Sequence, residues 1–142
     1  MKAFQLNLLR AGAVLLTLAF AVPASAGEFM PISTEAFQAA IAAKRPTVFH
    51  VRTKDGVLCN AQHAVLARLM AEPAFKNYIV LEVDFVGNPI RVKMLGAKMP
   101  ATIIYGRGGV DIGRVVGATD EATIRALLTK TAPDAAVAPA AK

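Results

Sequence analysis

The central part of the chain alternates between segments whose apolar residues recur at helical spacing and short runs rich in β-branched and aromatic residues. The first kind predicts helices and the second predicts strands. Helices are predicted from a cap at Ser33 or Thr34 to about residue 43, at residues 59–71 and 88–95, and after a cap at Thr119. Strands are predicted at residues 47–52, 78–85, 101–105 and 110–116.

This order, α-β-α-β-α-β-β-α, indicates a single α/β domain. Strands joined by helices are expected to pair in parallel, whereas the last two strands, joined by a short glycine-rich turn at residues 106–109, must be antiparallel. The sequence therefore predicts one mixed four-stranded sheet flanked by helices. No internal repeat or linker divides it.

Both ends of the chain differ in composition from this domain. Lys2 and Arg10 form a positively charged region before an uncharged apolar run at residues 11–22, and Ala24-Ser25-Ala26 has the small-x-small pattern of a signal peptidase site. A run of this length is short for a membrane anchor, which needs about 20 residues, so a retained anchor is the weaker interpretation. We expect a cleaved signal peptide at residues 1–26, export to the bacterial periplasm, and no stable membrane anchor afterwards.

The carboxyl end, residues 132–142, is mostly alanine and proline and is expected to be a disordered tail. The predicted folded domain is therefore residues 27–131.

The basic charge of the chain does not indicate nucleic-acid binding. Sixteen Lys and Arg residues stand against ten Asp and Glu, a formal charge of +6, but only 18% of residues are charged and the basic ones are scattered. The predicted signal peptide holds two of the basic residues and no acidic one, which reduces the charge to +4. We expect no nucleic-acid partner.

The chain contains one cysteine, Cys59, so no disulfide within one molecule is possible. In an oxidising compartment a single thiol is either buried and inert or exposed for reaction with another molecule. Cys59 lies at the predicted start of a helix, where free backbone N–H groups and the helix dipole stabilise a thiolate.

Several of these features together resemble the thioredoxin superfamily, over about residues 33–130. They are the order of elements, the cysteine at the start of the second helix, Met99-Pro100 before the strand ATIIY, and the glycines Gly109 and Gly117. The chain departs from the superfamily's Cys-x-x-Cys motif, because Cys59-Asn60-Ala61-Gln62 ends in glutamine. Dithiol chemistry within one molecule is therefore excluded.

The resemblance implies a set of site residues. Cys59 would be the nucleophile, and a cis Met99-Pro100 bond would border the groove that holds the substrate. His50 aligns with a buried acidic residue of thioredoxins and would accept the thiol proton. The implied activity is monothiol thiol–disulfide exchange through a mixed disulfide, with exported thiol or disulfide proteins or glutathione as partners and without a cofactor.

Two other functions remain open at this point. In one, the protein is a non-catalytic thioredoxin-like module that binds or assembles partners, and Cys59 is a relic. In the other, Cys59, His63 and Met99 form a soft ligand set for Cu(I) and the protein carries copper in the periplasm. A solvated histidine beside the groove is the simpler interpretation of His63, so we predict no metal site.

Overall fold

The computed structural model describes residues 26–131. The predicted signal peptide, apart from Ala26, and the predicted tail lie outside the described residues. None of the helices within residues 26–131 has the length and apolar composition needed to cross a bilayer.

The described part of the chain forms a mixed α/β domain. Its strands are β1 (Glu28–Pro31), β2 (Pro46–Arg52), β3 (Ile79–Asp84), β4 (Thr102–Arg107) and β5 (Val110–Val116). Its helices are α1 (Thr34–Ala42), α2 (Val57–Met70), α3 (Pro89–Met94) and α4 (Glu121–Leu128), with a 3₁₀ turn at Pro73–Phe75. The strands form one sheet in the order β1-β3-β2-β4-β5.

The sheet has five strands rather than the four that were predicted. The additional strand, β1, pairs in parallel with β3 at one edge of the sheet, with Phe29 opposite Val80. Its four residues are too few to show a period, and Pro31 at its end argues against a strand from sequence alone, although an edge strand tolerates proline.

The expectation that helix-joined strands pair in parallel is correct for β2 and β3 and wrong for β4. Strand β4 pairs antiparallel with β2, with Phe49 opposite Ile104. The reason is the length of α3. Its six residues span about 9 Å, whereas a strand of six residues spans about 20 Å. Helix α3 therefore does not return the chain to the opposite end of the sheet before β4 begins.

Each face of the sheet carries its own apolar core. On one face, α2 and α4 bury Leu66, Leu69 and Ile124 against the sheet. On the other face, α1 and α3 bury Ala40 and Val92. Because strands β2 and β3 are covered on both faces, almost all of their residues are buried.

Two helices begin at residues other than those predicted. Helix α2 begins at Val57, two residues before Cys59, with Gly56 as its N-cap. Helix α4 is capped by Asp120, whose side chain accepts a hydrogen bond from the Thr123 N–H, so the predicted cap at Thr119 is wrong. Asp and Thr are both good N-caps, and the sequence does not distinguish neighbouring candidates.

The predicted cis Met99-Pro100 bond is also wrong, because no peptide bond within residues 26–131 is cis. The chain instead turns into β4 at Ala101, which has a φ of 58°, in the left-handed region. The carbonyl of Ala101 holds this conformation by accepting the N–H of Gly117 at 2.8 Å. A trans proline followed by a left-handed residue therefore provides the change of direction.

Candidate active site

Cys59 is the third residue of α2 and only 2% exposed. The two residues before it are exposed, Val57 by 83% and Leu58 by 51%. The Cys59 Sγ lies 3.9 Å from Thr53 Oγ1, within range of a weak hydrogen bond. The sulfur is therefore in the first turn of the helix, as predicted, but it is buried, whereas the two residues before it in the sequence are exposed.

Gly56 is the residue at Cys-x-x-Cys spacing that faces this sulfur. A Cβ placed on Gly56 would lie 2.9 Å from Cys59 Sγ. Across a disulfide, a Cβ and the distant sulfur are about 3 Å apart. The spacing and this distance are compatible with a dithiol motif that has glycine at its first position. The spacing Gly56-Val57-Leu58-Cys59 is visible in the sequence but was not part of the prediction, which placed the motif at residues 59–62.

Gln62, one turn after Cys59, is fully buried and makes three hydrogen bonds. Its Nε2 donates to the carbonyls of Ala101 and Ala118, both at 2.9 Å. Its Oε1 lies 3.2 Å from Nε2 of His50. Gln62 therefore ties α2 to the loop that follows Pro100, and this loop lies beside the helix that carries Cys59.

The contacts of Gln62 also determine the tautomer of His50. Because the Gln62 amide nitrogen donates to two carbonyls, its oxygen must accept, and the His50 Nε2 must carry the proton. The lone pair then lies on His50 Nδ1, which is buried and has no hydrogen-bond partner among residues 26–131. Burial and, secondarily, the positive charge of Arg52 lower the pKa of His50 to about 4. His50 is consequently neutral near pH 7.

A partly exposed set of charged groups adjoins His50. His63 Nδ1 lies 3.0 Å from Glu82 Oε1. Nη1 of Arg52 lies 2.9 Å from the same Glu82 oxygen and 3.2 Å from His63 Nδ1. Each of three residues offers one potential metal-ligand atom, and these atoms all lie within 4.8 Å of one another: His50, His63 and Glu82. Both histidines are among the residues predicted from the sequence, whereas Glu82 is not.

The predicted site residues contact different partners in the structure from those that the sequence predicts. The sulfur of Cys59 has its hydrogen bond to Thr53, and the hydrogen bond of His50 is to Gln62. Within residues 26–131, the side chains close enough to share a metal ion are His50, His63 and Glu82, and Cys59 is not among them. The roles of His50 as proton acceptor and of Cys59, His63 and Met99 as a Cu(I) set stay predictions.

Met99 and Pro100, the residues predicted to border a substrate groove, lie on the loop that leads into β4. Met99 is half exposed, and Pro100 is partly buried. The Met99 carbonyl accepts a hydrogen bond from Thr102 Oγ1 at 2.8 Å, which fixes the start of β4. Through Ala101 and Gln62 this segment is connected to α2 one turn from Cys59.

Comparison with known proteins gives matches among solved structures only. No family model matches the chain, and a search of curated proteins finds no match. The structure is similar to Trxlp from Edwardsiella tarda, with a TM-score of 0.69 and 26% identity over 73% of this chain and 100% of that one.

Two thioredoxins are similar at lower identity. The first, from Malassezia sympodialis, has a TM-score of 0.62 and 20% identity over 74% of this chain and 90% of that one. The second, from Trypanosoma brucei brucei, has a TM-score of 0.61 and 18% identity over 76% of this chain and 92% of that one. The fold and these likenesses identify the chain as a thioredoxin-like superfamily protein with a single cysteine.

Proposed function

We propose that the protein is an exported thioredoxin-like protein that forms mixed disulfides through Cys59 when a partner opens the first turn of α2. The fold supports a redox or thiol–disulfide role in general. The observation that carries the finer proposal is the position of the single sulfur, which is buried in the first turn of α2 directly after two exposed apolar residues.

The first turn of α2 is weakly held, which makes its opening energetically accessible. Its N-cap, Gly56, has no side chain to accept the free N–H groups, and the first turn contains no acidic residue. The first helical hydrogen bond runs from the Asn60 N–H to the Gly56 carbonyl at 2.9 Å. Local segments of a folded protein can open at a free energy below that of global unfolding. Such opening exposes Cys59 without unfolding the domain.

Exposed apolar side chains give a partner a surface to bind. Val57 and Leu58 precede Cys59 on α2, and Met99 is half exposed on the loop that Gln62 ties to the same helix. A partner segment that buries Val57 and Leu58 recovers apolar contact free energy, which offsets the cost of moving the turn. Exchange at Cys59 is therefore faster with a partner that binds this surface than with a small disulfide of equal reactivity.

The exchange itself conserves atoms and electrons. The Cys59 thiol loses its proton to water as the turn opens, and the thiolate attacks one sulfur of a partner disulfide. The partner's S–S bond breaks, a bond forms between Cys59 and the attacked sulfur, and the other sulfur leaves as a thiolate. Because the chain has no second cysteine, an external thiol must release the partner.

Export to the periplasm is part of the proposal. Its support is the sequence pattern of residues 1–26, a positive start, an apolar run and Ala24-Ser25-Ala26. An oxidising compartment would supply the partner disulfides.

Trapping of mixed disulfides in the cell tests this function. Cells that produce the full chain are quenched with acid and alkylated, and adducts are separated without reductant. Wild type is expected to form adducts that reductant removes, and Cys59→Ser to form none. Leu58→Asp is expected to reduce the adducts, whereas Val86→Asp, at an even more exposed apolar residue in the loop before α3, leaves them unchanged. Wild type without reducible adducts would contradict the proposal.

The burial of Cys59 favours a second candidate, a non-catalytic binding module. In that case Cys59→Ser retains partner binding while Leu58→Asp loses it. If both variants lose the partner, the thiol mechanism holds.

A substitution at Gly56 tests the geometry of the site. Gly56 has a φ of −72°, which any residue adopts, so Gly56→Cys is expected to form a disulfide with Cys59 once Thr53 Oγ1, 2.6 Å from the new Cβ, rotates away. Mass spectrometry after oxidation would show the loss of two hydrogens. Two free thiols after oxidation would contradict the placement of Cys59.

A further inference from the structure

We propose that His50, His63 and Glu82 form a binding site for a divalent metal ion of the Zn²⁺ type, with Gln62 orienting one ligand and Arg52 competing with the ion. The site is independent of Cys59 and goes beyond the proposed function. It would join β2, α2 and β3, each of which supplies one ligand.

The donor set suits zinc. Two imidazoles and a carboxylate form one of the three-ligand sets found at zinc sites that keep an open fourth position. The ligands of a tetrahedral zinc ion are about 3.3 Å apart. His63 Nδ1 and Glu82 Oε1 are already 3.0 Å apart, and all three ligand atoms lie within 4.8 Å. His63 and Glu82 are partly exposed, so they are free to move the remaining distance.

An unsatisfied lone pair provides the second, independent observation. His50 is fully buried, its Nε2–H is held by Gln62, and its Nδ1 has no partner among residues 26–131. A buried acceptor without a hydrogen-bond partner destabilises the fold, so a ligand that binds its lone pair is favoured. A histidine that ligates a metal through one nitrogen usually donates its other N–H to an oxygen, as His50 does to Gln62.

Arg52 occupies the corner of the cluster where the ion would bind. Its Nη1 contacts both Glu82 Oε1 and His63 Nδ1, the two atoms that a cation would take. The guanidinium also donates through Nη2 to Asn60 Oδ1 at 2.8 Å, so it retains an anchor when Nη1 is displaced. Metal binding therefore requires Arg52 to release two contacts, and the loss of its charge should strengthen binding.

Calorimetric titration of the untagged full chain with Zn²⁺ tests the site. We expect one ion per chain. Binding should weaken by about tenfold or more in His63→Ala and in Glu82→Gln, and tighten by about tenfold in Arg52→Gln. Glu28→Gln, a carboxylate outside the cluster, and Cys59→Ser should bind as wild type does.

A spectroscopic arm makes the test independent of folding defects in the variants. The chain has two histidines, so nitrogen NMR of wild type should show both imidazoles shifting as Zn²⁺ is added. The proposal is overturned if Zn²⁺ does not bind, if the imidazole signals do not move, or if His63→Ala and Glu82→Gln bind as tightly as wild type. Loss of binding in Cys59→Ser would also overturn it, whereas adduct formation by wild type in the cell bears only on the proposed function.

Discussion

Two clusters of polar and charged side chains meet α2, and they differ in how completely their hydrogen-bonding groups are satisfied. The outer cluster lies on the surface near the end of the helix and consists of Arg68, Glu72, Glu121 and Arg125. The inner cluster lies at the sheet near the start of the helix and consists of His50, Arg52, Gln62, His63 and Glu82.

Every charged side chain of the outer cluster has a partner of opposite charge. Arg125 donates to both carboxylate oxygens of Glu72, at 2.6 and 2.7 Å, and to Glu121 at 2.8 Å. These pairs lower the pKa of the Glu72 and Glu121 carboxyls. All of these side chains are more than a third exposed, so water and salt screen their interactions.

The inner cluster contains one buried atom, His50 Nδ1, that has no hydrogen-bond partner among residues 26–131. It includes two fully buried polar side chains, Gln62 with every partner in place and His50 with a free lone pair. Arg52 shares one nitrogen between His63 and Glu82. A surface ion pair needs no function to explain it, but an unsatisfied buried acceptor costs stability. Within residues 26–131, His50 Nδ1 is the one buried side-chain nitrogen or oxygen without a hydrogen-bond partner, and it belongs to the cluster proposed to bind a metal ion.

The largest effect on stability is expected from replacing Gln62, the buried side chain of the inner cluster whose oxygen and nitrogen both have hydrogen-bond partners. Gln62→Ala leaves the buried His50 Nε2–H and the Ala118 carbonyl without their partner and opens a cavity, although the Ala101 carbonyl retains the Gly117 N–H. The free energy of unfolding should fall by about 3–5 kcal/mol. Urea denaturation measures this. Gln38→Ala, on the exposed face of α1, is the matched control and should change it by about 0.5 kcal/mol at most. Equal effects would contradict the role of Gln62.

The next effect is the pH dependence that His50 contributes. Its pKa is about 4 in the folded protein and 6.5 in the unfolded chain, so only the unfolded chain takes up the proton between these values. The stability contributed by neutral His50 is full above pH 6.5 and is lost as the pH falls toward 4, by about 3 kcal/mol. Denaturation at several pH values with a chelator present measures this slope, which His50→Asn should lack. An NMR midpoint for His50 near 6.5 would contradict the prediction.

The smallest effect is expected from the outer cluster. Arg125→Gln removes three hydrogen bonds on the surface, and the free energy of unfolding should fall by less than in Gln62→Ala. The difference between wild type and Arg125→Gln should shrink at about 1 M salt, because exposed charges are screened there. A loss as large as that of Gln62→Ala, or one that salt does not change, would remove the contrast between the two clusters.

The sequence predicts the framework of the domain well because its core is periodic. The spacing of Val65, Leu66, Leu69 and Met70 predicts the inner face of α2, and all four residues are buried. The edge strand β1 and the antiparallel direction of β4 were not predictable in the same way. They depend on pairing across the sheet and on the path of the chain between β3 and β4 rather than on local periodicity.

The candidate site was predictable only in part. The sequence singles out Cys59 because it is the one cysteine, but it does not show that its side chain is buried. Glu82 meets His50 because the register of β2 and β3 places them opposite each other, and His63 approaches from α2. Gln62, interpreted from sequence as a replacement for a lost cysteine, is the hydrogen-bonding centre of the inner cluster. Such contacts follow from tertiary packing.

Reaction of the reduced full chain with glutathione disulfide tests the central claim most directly, with mass spectrometry counting adducts in native buffer and in denaturant. The account predicts that folded wild type gains one glutathione at Cys59, more slowly than the unfolded chain but faster than global unfolding allows, and that Cys59→Ser gains none. Modification at the rate of global unfolding, with none in the folded state, would show that Cys59 is an inert buried thiol and would contradict the account.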